Sequence, residues 1–230
     1  MRFVLIRHGQ SGNNALYDDS GSEAAGRDPD TKLTQLGHDQ ARRLADAVGS
    51  GVLPWRVTHL YSSLMARAIQ TAAPLAEVLD LEVRSHPELF ECGGPYHLDP
   101  QTGEHLAHPG SPRSELAALT PRLVLDGVAQ DWGWWAGPFE SDEEAFRARA
   151  ARVIAHLRQT HADEDVVALV SHGWFHQYLL RELLGVPQMS GWFAIDNTAI
   201  SLLFDETGQW AGKATAARIN WTPHLGGSAR

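Results

Sequence analysis

The sequence predicts an α/β fold, a three-layer α/β/α sandwich around a mostly parallel central sheet. Short apolar, β-branched runs alternate along the chain with segments that have one apolar stripe at helical spacing. Two of the apolar runs, 3–6 and 165–170, end just before a His-Gly pair. In open α/β sheets, ligands bind at the carboxyl ends of the strands. If both runs lie in one sheet, both histidines project from the same edge, and that edge is the candidate site.

Regular elements alternate over most of the chain. Strands are predicted over 3–6, 57–61, 81–84, 165–170, 198–204 and 214–219. Helices are predicted over 35–48, 64–79, 141–161 and 173–184. Thr34 is the expected N-cap of the first helix, and Ser62 and Ser63 are expected to cap the second. Ser141 opens a capping-box pattern for the third helix, and Gly185 ends the fourth.

Two segments lack this regularity. Residues 12–30 are rich in Gly, Ser, Asn and Asp without an apolar period, and we predict a loop there. Residues 93–138 scatter Pro, Gly and His around a weak helix at 114–119. We predict that this second segment is an insertion over the strand ends, within a single domain that spans 1–230.

Composition and charge exclude several classes of protein. The formal net charge of -9 argues against a nucleic-acid partner. The hydrophobic share, 43% of the 230 residues, is ordinary for a globular protein. The single cysteine, Cys92, excludes an intrachain disulfide. No apolar run is long enough to cross a membrane. We therefore expect a soluble, cytoplasmic protein without a membrane or nucleic-acid partner; whether it forms a homodimer is left open.

Five sequence blocks, in a fixed order, resemble the histidine phosphatase superfamily, which is also called the phosphoglycerate-mutase-like family. The blocks are Arg7-His8-Gly9-Gln10-Ser11-Gly12-Asn13-Asn14, Leu33-Thr34-Gln35-Leu36-Gly37-His38-Asp39-Gln40-Ala41, Ser63-Leu64-Met65-Ala66-Arg67-Ala68-Ile69-Gln70-Thr71-Ala72, Leu89-Phe90-Glu91 and Val170-Ser171-His172-Gly173. Each block alone is a weak signal, but their order and spacing together are specific. The resemblance implies a phosphoglycerate-mutase-like fold.

The resemblance also implies roles for individual residues. In that family the first histidine attacks phosphorus, so His8 is expected to be the nucleophile, and a neutral imidazole suits that chemistry near pH 7. The remaining residues are expected to bind the substrate phosphate. They are Arg7, Arg67 and His172 as the charged clamp, Ser11 and Asn14 as neutral donors, and Gly173 with the residues near Ser63 at helix N-termini.

The general acid has two candidates three residues apart, Glu88 and Glu91. A leaving alkoxide needs a proton, which a carboxyl group can supply. The family pattern is L-x-E followed closely by Gly. Leu89-Phe90-Glu91-Cys92-Gly93 fits this pattern and Glu88 does not, so we select Glu91. The glycines follow sooner than in the commonest form of the pattern.

Other residues with metal-binding or packing potential lie in or beside the insertion. Five potential metal ligands fall within twelve residues: His97, Asp99, Glu104, His105 and His108. They lack an H-E-x-x-H order, so we favour solvated loop residues and expect no metal there. The tryptophans Trp132, Trp134 and Trp135 suit either a wall over the substrate or core packing under the insertion. Cys92 is expected to be an inert small apolar residue.

These observations predict a metal-independent phosphatase without a cofactor, which hydrolyses a small-molecule phosphomonoester through phosphohistidine at His8. One alternative is a phosphoglycerate mutase. Mutases of this family hold a second phosphate with basic residues of the insertion, where this chain has only Arg113 and Arg122. A non-catalytic module that binds a phosphorylated ligand, or a zinc hydrolase built on the loop histidines, is a further alternative. The sequence leaves the physiological substrate open.

Overall fold

The computed structural model describes residues 1–21, 26–125, 127 and 129–226. Nine strands are present in these ranges. They are β1 (Arg2–Arg7), β2 (His59–Ser62), β3 (Val83–Ser85), β4 (Tyr96–Leu98), β5 (His105–Ala107), β6 (Leu123–Val124), β7 (Val166–Ser171), β8 (Ile200–Asp205) and β9 (Ala214–Trp221). Strands β4 and β5 form a separate antiparallel pair, and the other seven form one sheet.

The described residues also contain six α-helices. They are α1 (Gly12–Ser20), α2 (Gln35–Gly49), α3 (Ala66–Leu79), α4 (Arg113–Ala117), α5 (Glu143–Thr160) and α6 (Gly173–Leu184). Helix α6 begins and ends where the sequence predicts, and it ends at Gly185 in the left-handed conformation. No helix within the described ranges has both the length and the apolar character needed to cross a membrane.

The central sheet confirms the predicted α/β fold. Its strand order is β6-β3-β2-β7-β1-β8-β9. Strand β8 runs in the direction opposite to that of the other six strands. Strands β1 and β7 are parallel neighbours, with Arg7 opposite Ser171. His8 and His172 each follow directly, so the register brings both imidazoles to the same edge of the sheet.

Two helix pairs cover the two faces of the sheet. On one face, α5 and α6 pack against Phe3 and Leu5 of β1 and against Val167 and Leu169 of β7. On the other face, the alternate side chains of the same strands pack against α2 and α3. Because successive strand residues point to opposite faces, these apolar strands are buried on both sides. The molecule is therefore a three-layer sandwich, as predicted.

Helix α1 contradicts the loop predicted over 12–30. Ser11 is its N-cap, and Asn14 completes a capping box in which each side chain bonds the other residue's backbone. The helix ends at Gly21, which has a φ of 69°. Only Asn13 of the nine residues of α1 is buried, so the helix has no apolar stripe that a sequence pattern could reveal. Residues 22–25 of the predicted loop lie outside the described residues.

Two of the predicted caps are also wrong. Helix α3 begins at Ala66, after Met65, and neither Ser62 nor Ser63 caps it as an N-cap residue. Its first N–H group is instead bound by the carboxylate of Asp30, whose Oδ1 accepts from Ala66 at 2.9 Å. Helix α5 is capped by Asp142, which accepts from the Glu144 N–H, rather than by Ser141. Asp30 acts from a distant loop, which local patterns cannot reveal, whereas Asp142 is the immediate neighbour of the predicted cap.

The region 93–138 contains the short elements β4, β5, α4 and β6, of which β6 pairs with β3 as an edge strand of the central sheet. Residues 126 and 128 of this region lie outside the described ranges. A third apolar cluster anchors this region to α3. The cluster contains Leu64, Met65, Ile69, Phe90, Leu116, Leu125, Ala129 and Trp134. Trp135 packs against the cluster, whereas Trp132 is exposed. Of the two roles considered for the tryptophans, core packing describes Trp134 and Trp135.

Candidate active site

Two histidines lie side by side at the carboxyl edge of the sheet. His8 follows β1 and His172 follows β7, and their ring centroids are 5.1 Å apart. Both side chains are buried. The two strands that the sequence singled out therefore place their histidines in one site.

The hydrogen bonds of His8 determine which ring nitrogen carries the proton. Its Nδ1 lies 2.6 Å from the carbonyl oxygen of Gly9, which can only accept, so Nδ1–H is the donor. The Arg67 Nε–H donates to His8 Nε2 at 3.1 Å. The backbone of Gly9 is itself held by its N–H, which donates to Thr71 Oγ1. His8 is therefore a neutral imidazole that keeps its lone pair on Nε2.

The electrostatics agree with a neutral His8. Burial lowers the pKa of His8 well below its usual value of 6.5, and the positive charges of Arg67 and Arg7 lower it further. Protonation of the buried ring would add a third positive charge to this edge. His8 therefore stays in its nucleophilic form at neutral pH.

His172 is the second imidazole of the site. Its Nε2 lies 2.8 Å from the hydroxyl oxygen of Ser63. Its Nδ1 is buried without a hydrogen-bond partner among the described residues. Burial lowers the pKa of His172 well below 6.5, and Arg67 and His8 act in the same direction. A negatively charged ligand would reverse that effect and favour a proton on this ring.

Two guanidinium groups flank the histidines, that of Arg7, which is half-buried, and that of Arg67. Arg7 Nη1 donates to the carbonyl oxygen of Ile195 at 2.6 Å, and its Nε has no partner among the described residues. Arg67, in the first turn of α3, is buried. Burial lowers the pKa of both groups. Within the described ranges neither guanidinium forms a salt bridge, although the carboxylates of Asp30 and Glu91 lie near enough to act on the pKa of Arg67. Both guanidinium groups therefore remain available to bind an anion.

Close backbone packing explains the two glycines that follow the histidines. A Cβ on Gly9 would lie 2.6 Å from the carbonyl oxygen of Gly37 in α2. A Cβ on Gly173 would lie 3.2 Å from Arg7 Nε. Gly173 thus lets the first turn of α6 sit directly against the Arg7 guanidinium, where its N-terminal dipole adds to the positive potential.

Ser11 and Asn14 lie near His8 and are hydrogen-bonded to each other. The Ser11 hydroxyl donates to Asn14 Oδ1 at 3.1 Å, and the Asn14 N–H donates to the Ser11 oxygen at 3.3 Å. Asn197 Nδ2 donates both to the His8 carbonyl oxygen and to Asn14 Oδ1. The two residues therefore belong to the scaffold that holds the His8 backbone.

The structure separates the two glutamates that the sequence considered. The Glu91 side chain contacts the N-terminus of α6, where its Oε1 accepts from the Phe175 N–H at 2.8 Å. The same oxygen accepts from the Cys92 N–H at 2.9 Å. Its Oε2 accepts from the Trp174 N–H at 3.2 Å. Glu88 instead forms a surface ion pair with Arg152, at 2.6 Å. Glu91, and not Glu88, is the carboxylate held beside His172.

A cavity of about 410 Å³ opens next to Glu91. Its walls include aromatic side chains and one guanidinium: Arg27, Tyr96, His105, Phe139 and Trp174. The Arg27 guanidinium lies 4.0 Å from the centre of the Tyr96 ring, and the His105 ring stacks on Phe139 with centroids 4.1 Å apart. The cavity is large enough for an organic group attached to a phosphate.

Comparison with known proteins identifies the family. The family model of the histidine phosphatase superfamily (branch 1) matches residues 3–217, nearly the whole chain. The chain belongs to the histidine phosphatase superfamily. A curated relative, the probable phosphoglycerate mutase GpmB of Photorhabdus laumondii, is 30% identical over 188 residues, which cover 81% of this chain and 76% of the relative. The superfamily and these relatives indicate phosphatase or phosphotransferase activity.

Further relatives of this histidine phosphatase include named phosphatases. The 5''-phosphoribostamycin phosphatase of Niallia circulans is 40% identical over 72 residues, 31% of this chain and 32% of that protein. The phosphoserine phosphatase of Entamoeba histolytica, solved with phosphoserine, has a TM-score of 0.62 at 23% identity and covers 97% of this chain and 98% of its own. A mycobacterial glucosyl-3-phosphoglycerate phosphatase has a TM-score of 0.58 at 23% identity. The match covers 95% of this chain and 98% of that structure's chain. The two structures share the fold.

Sequence reasoning missed two residues near the site of this histidine phosphatase. Arg27 lines the cavity, and it is the only basic residue between positions 12 and 30, a signal that could have drawn attention to it. Asp30 is buried and binds two backbone N–H groups, Ala66 at the start of α3 and Ser111 in the insertion. Asp30 thereby fixes the helix that presents Arg67. No local pattern distinguishes it from other loop aspartates.

The loop histidines of the sequence analysis do not converge on one point. His97 and His105 lie on opposite strands of the β4–β5 pair and are exposed, and the His97 ring lies 5.0 Å from that of His108. Among the described residues, no trio from this loop has ligand atoms close enough to share an ion. Cys92 is buried, and burial raises the pKa of its thiol, as expected of an inert residue.

Proposed function

We propose that this histidine phosphatase hydrolyses a small-molecule phosphomonoester through a phosphohistidine on His8, without a metal ion. One observation supports this above the others. His8 Nε2 accepts a hydrogen bond from Arg67 Nε at 3.1 Å, and among the residues that the structure describes no carboxylate is in salt-bridge contact with Arg7 or Arg67. A phosphate drawn to those cations would lie against the nucleophile.

The first step transfers the phosphoryl group to the enzyme. His8 Nε2 attacks phosphorus, a P–N bond forms, and the ester P–O bond breaks. Arg7, Arg67 and His172 neutralise the phosphoryl oxygens, with Ser11, Asn14 and the N–H of Gly173 as neutral donors. Glu91 acts as the general acid and gives a proton to the leaving alkoxide, which departs as an alcohol.

The second step returns the enzyme to its starting state. A water molecule attacks the phosphohistidine, and its proton passes to Glu91, which had become a carboxylate in the first step. The P–N bond breaks and its electron pair returns to His8 Nε2, so inorganic phosphate leaves. Glu91 thus acts as the acid in the first step and as the base in the second. His8 Nδ1–H keeps its hydrogen bond to the Gly9 carbonyl oxygen through both steps.

The cavity beside Glu91 would hold the leaving group. An alcohol bound there would lie within reach of the acid and against the aromatic walls Tyr96 and Phe139. Since the cavity and the cationic edge adjoin at Glu91, a monoester would bind with its bridging oxygen near that residue. We propose a soluble, cytoplasmic metabolite as the substrate.

Phosphoglycerate mutase activity is a second candidate, favoured by the 30% identity to a probable mutase. A mutase must hold the second phosphate of a bisphosphorylated intermediate. The two basic residues of the insertion are engaged elsewhere: Arg113 Nη1 donates to the Leu125 carbonyl oxygen at 2.7 Å, and Arg122 pairs with Asp80 at 3.0 Å. This favours hydrolysis. Interconversion of 3- and 2-phosphoglycerate that outpaces phosphate release would reverse the preference.

The direct test is hydrolysis of 4-nitrophenyl phosphate in buffer that contains a chelator. Replacing the nucleophile, His8→Ala, should lower kcat by about 10⁴-fold or more. The matched control is His97→Ala, an exposed imidazole in the insertion, which should stay within about twofold of the parent because its surface substitution leaves the site intact. Substantial turnover by His8→Ala would refute the proposal, as would binding of phosphate esters without any turnover by the parent.

A further inference from the structure

A second histidine pair lies at the opposite edge of the sheet, where the proposed hydrolysis uses no residue. His59 is the first residue of β2, Asp165 directly precedes β7, and His161 directly follows α5. Strands β2 and β7 are parallel, so these positions belong to the amino ends of the strands. His161 and Asp165 are four residues apart in the segment that joins α5 to β7, and the fold brings His59 to them from a distant part of the chain.

The spacing of their polar atoms is the first observation that points to a ligand. Asp165 Oδ2 lies 3.7 Å from His161 Nδ1, and Asp165 Oδ1 lies 3.9 Å from His59 Nδ1. Both distances exceed hydrogen-bond length. Two ligands of one tetrahedral zinc ion, each about 2.0–2.1 Å from the metal, lie about 3.4 Å apart. One ligand atom from each residue falls within a common radius of 4.8 Å.

The second observation concerns the outer nitrogen of His161. Its Nε2 lies 3.0 Å from the hydroxyl oxygen of Tyr61, which fixes the ring and leaves Nδ1 toward Asp165. Histidine ligands of metals are characteristically held in this way through the other nitrogen. Asp165 is positioned by two hydrogen bonds, from the Thr58 hydroxyl to Oδ1 at 3.2 Å and from the Ala162 N–H to Oδ2 at 3.0 Å. The Thr58 hydroxyl also lies 2.9 Å from His59 Nδ1, and a metal ion bound at that nitrogen would replace this contact.

Burial and charge suit a site that an ion can enter. The His161 side chain is 5% exposed, whereas those of Asp165 and His59 are 20% and 26% exposed. The His59 and His161 rings are 4.2 Å apart between centroids. Arg84 and His156 lie near enough to influence His161, and Asp165 is the carboxylate that offsets them.

We propose that His59, His161 and Asp165 form a binding site for a divalent transition metal of the zinc or cobalt class, with water as the remaining ligand. Two imidazoles and a carboxylate are a donor set that such ions prefer. The metal would join the end of α5 to the amino ends of β2 and β7. Its expected effect is on stability, since the site lies across the sheet from His8.

The test is titration of the chelator-treated full chain with Zn²⁺ by calorimetry and with Co²⁺ by visible absorption. The parent should bind one equivalent at this site, give the strong visible bands of tetrahedral cobalt, and gain thermal stability with Zn²⁺. Asp165→Asn and His59→Gln should each weaken binding by about 100-fold, and Tyr61→Phe by about tenfold, since outer partners of metal ligands contribute about 10–100-fold.

Two control variants and one activity measurement distinguish this site from other histidines. His97→Ala with His108→Ala, and separately His8→Ala, should leave the cobalt spectrum and the affinity unchanged. Hydrolysis of 4-nitrophenyl phosphate by His59→Gln should stay within about twofold of the parent. Absence of saturable binding by the parent would overturn the proposal. So would binding that survives in both folded variants, Asp165→Asn and His59→Gln, or that is lost in a control.

Discussion

The two edges of the sheet each hold a pair of histidines, and their surroundings differ in the sign of the charge. At the carboxyl edge, His8 and His172 lie 5.1 Å apart and face the guanidinium groups of Arg7 and Arg67. At the amino edge, a pair 4.2 Å apart faces the carboxylate of Asp165. Neutral imidazoles among cations suit an anionic phosphate, whereas imidazoles beside a carboxylate suit a metal cation.

Burial reinforces that difference. His8 and His172 are almost completely enclosed, so burial is the largest cause that keeps their pKa values low. Of the other pair, His59 is partly open to solvent. An enclosed imidazole suits a reaction intermediate that must be protected, and a more open one suits an ion that exchanges with solvent. The residue type alone would not have distinguished the two edges.

Among the residues around the nucleophile at the carboxyl edge, the largest effect is expected from Glu91. Glu91→Gln should lower kcat for an alkyl phosphate by about 10²–10⁴-fold, because the alkoxide then leaves without a proton. The loss should be much smaller for 4-nitrophenyl phosphate, whose phenolate leaves readily. Glu88→Gln is the matched control, and this surface ion-pair residue should stay near parental activity for both substrates. Equal losses for the two substrates would show that Glu91 does not act as the acid.

A smaller loss is expected when one cation is removed. Arg67→Gln should lower kcat/KM for phosphate esters by about 10²–10³-fold, since a charge-assisted donor to the transition state is lost. The control is Arg152→Gln, which removes a guanidinium from the surface pair with Glu88. Steady-state kinetics on both variants provides the measurement. If Arg67→Gln raised KM alone, Arg67 would serve only to bind the substrate.

The smallest effect is a shift along the pH axis. Because burial, Arg67 and Arg7 all lower the pKa of His8, protonation of the free enzyme should reduce kcat/KM only well below pH 6.5. Arg67→Gln removes one of these causes, so the acid limb of its profile should move to higher pH. The measurement is kcat/KM against pH for both proteins, corrected for substrate ionisation. An acid limb at 6.5 in both would mean that the cations do not act on His8.

Much of the fold was predictable because its strongest signals are local. The apolar strands and the helical stripes define six of the seven strands of the central sheet and four helices, including the bounds of α6. The two-residue strand β6 is too short to give such a signal. Helix α1 escaped because it is short and presents no apolar face. The capping interaction of α3 was not predicted because Asp30, which accepts from the Ala66 N–H, lies in a loop 36 residues earlier in the chain.

The two edges also differed in how visible they were in the sequence. His8 and His172 follow apolar strands and lie in recognisable blocks, and the structure brings them together with Arg7 and Arg67. His161 and Asp165 are only four residues apart, but His59 lies about a hundred residues earlier in the chain, and the three match no motif. The histidines from 97 to 108 are close in sequence, yet only the rings of His97 and His108 are brought near each other, and no trio from this loop shares a site among the described residues. Convergence in space depended on strand order, which local patterns do not specify.

The most direct test of the proposed chemistry is to trap the intermediate. The parent protein, mixed with a ³²P-labelled phosphomonoester and quenched within one turnover, should carry label that is stable to base and lost in acid, as phosphohistidine is. Peptide mapping should locate the label at His8, and His8→Ala should carry none. Label on another residue, or a parent enzyme that turns over rapidly without ever becoming labelled, would contradict a phosphohistidine at His8.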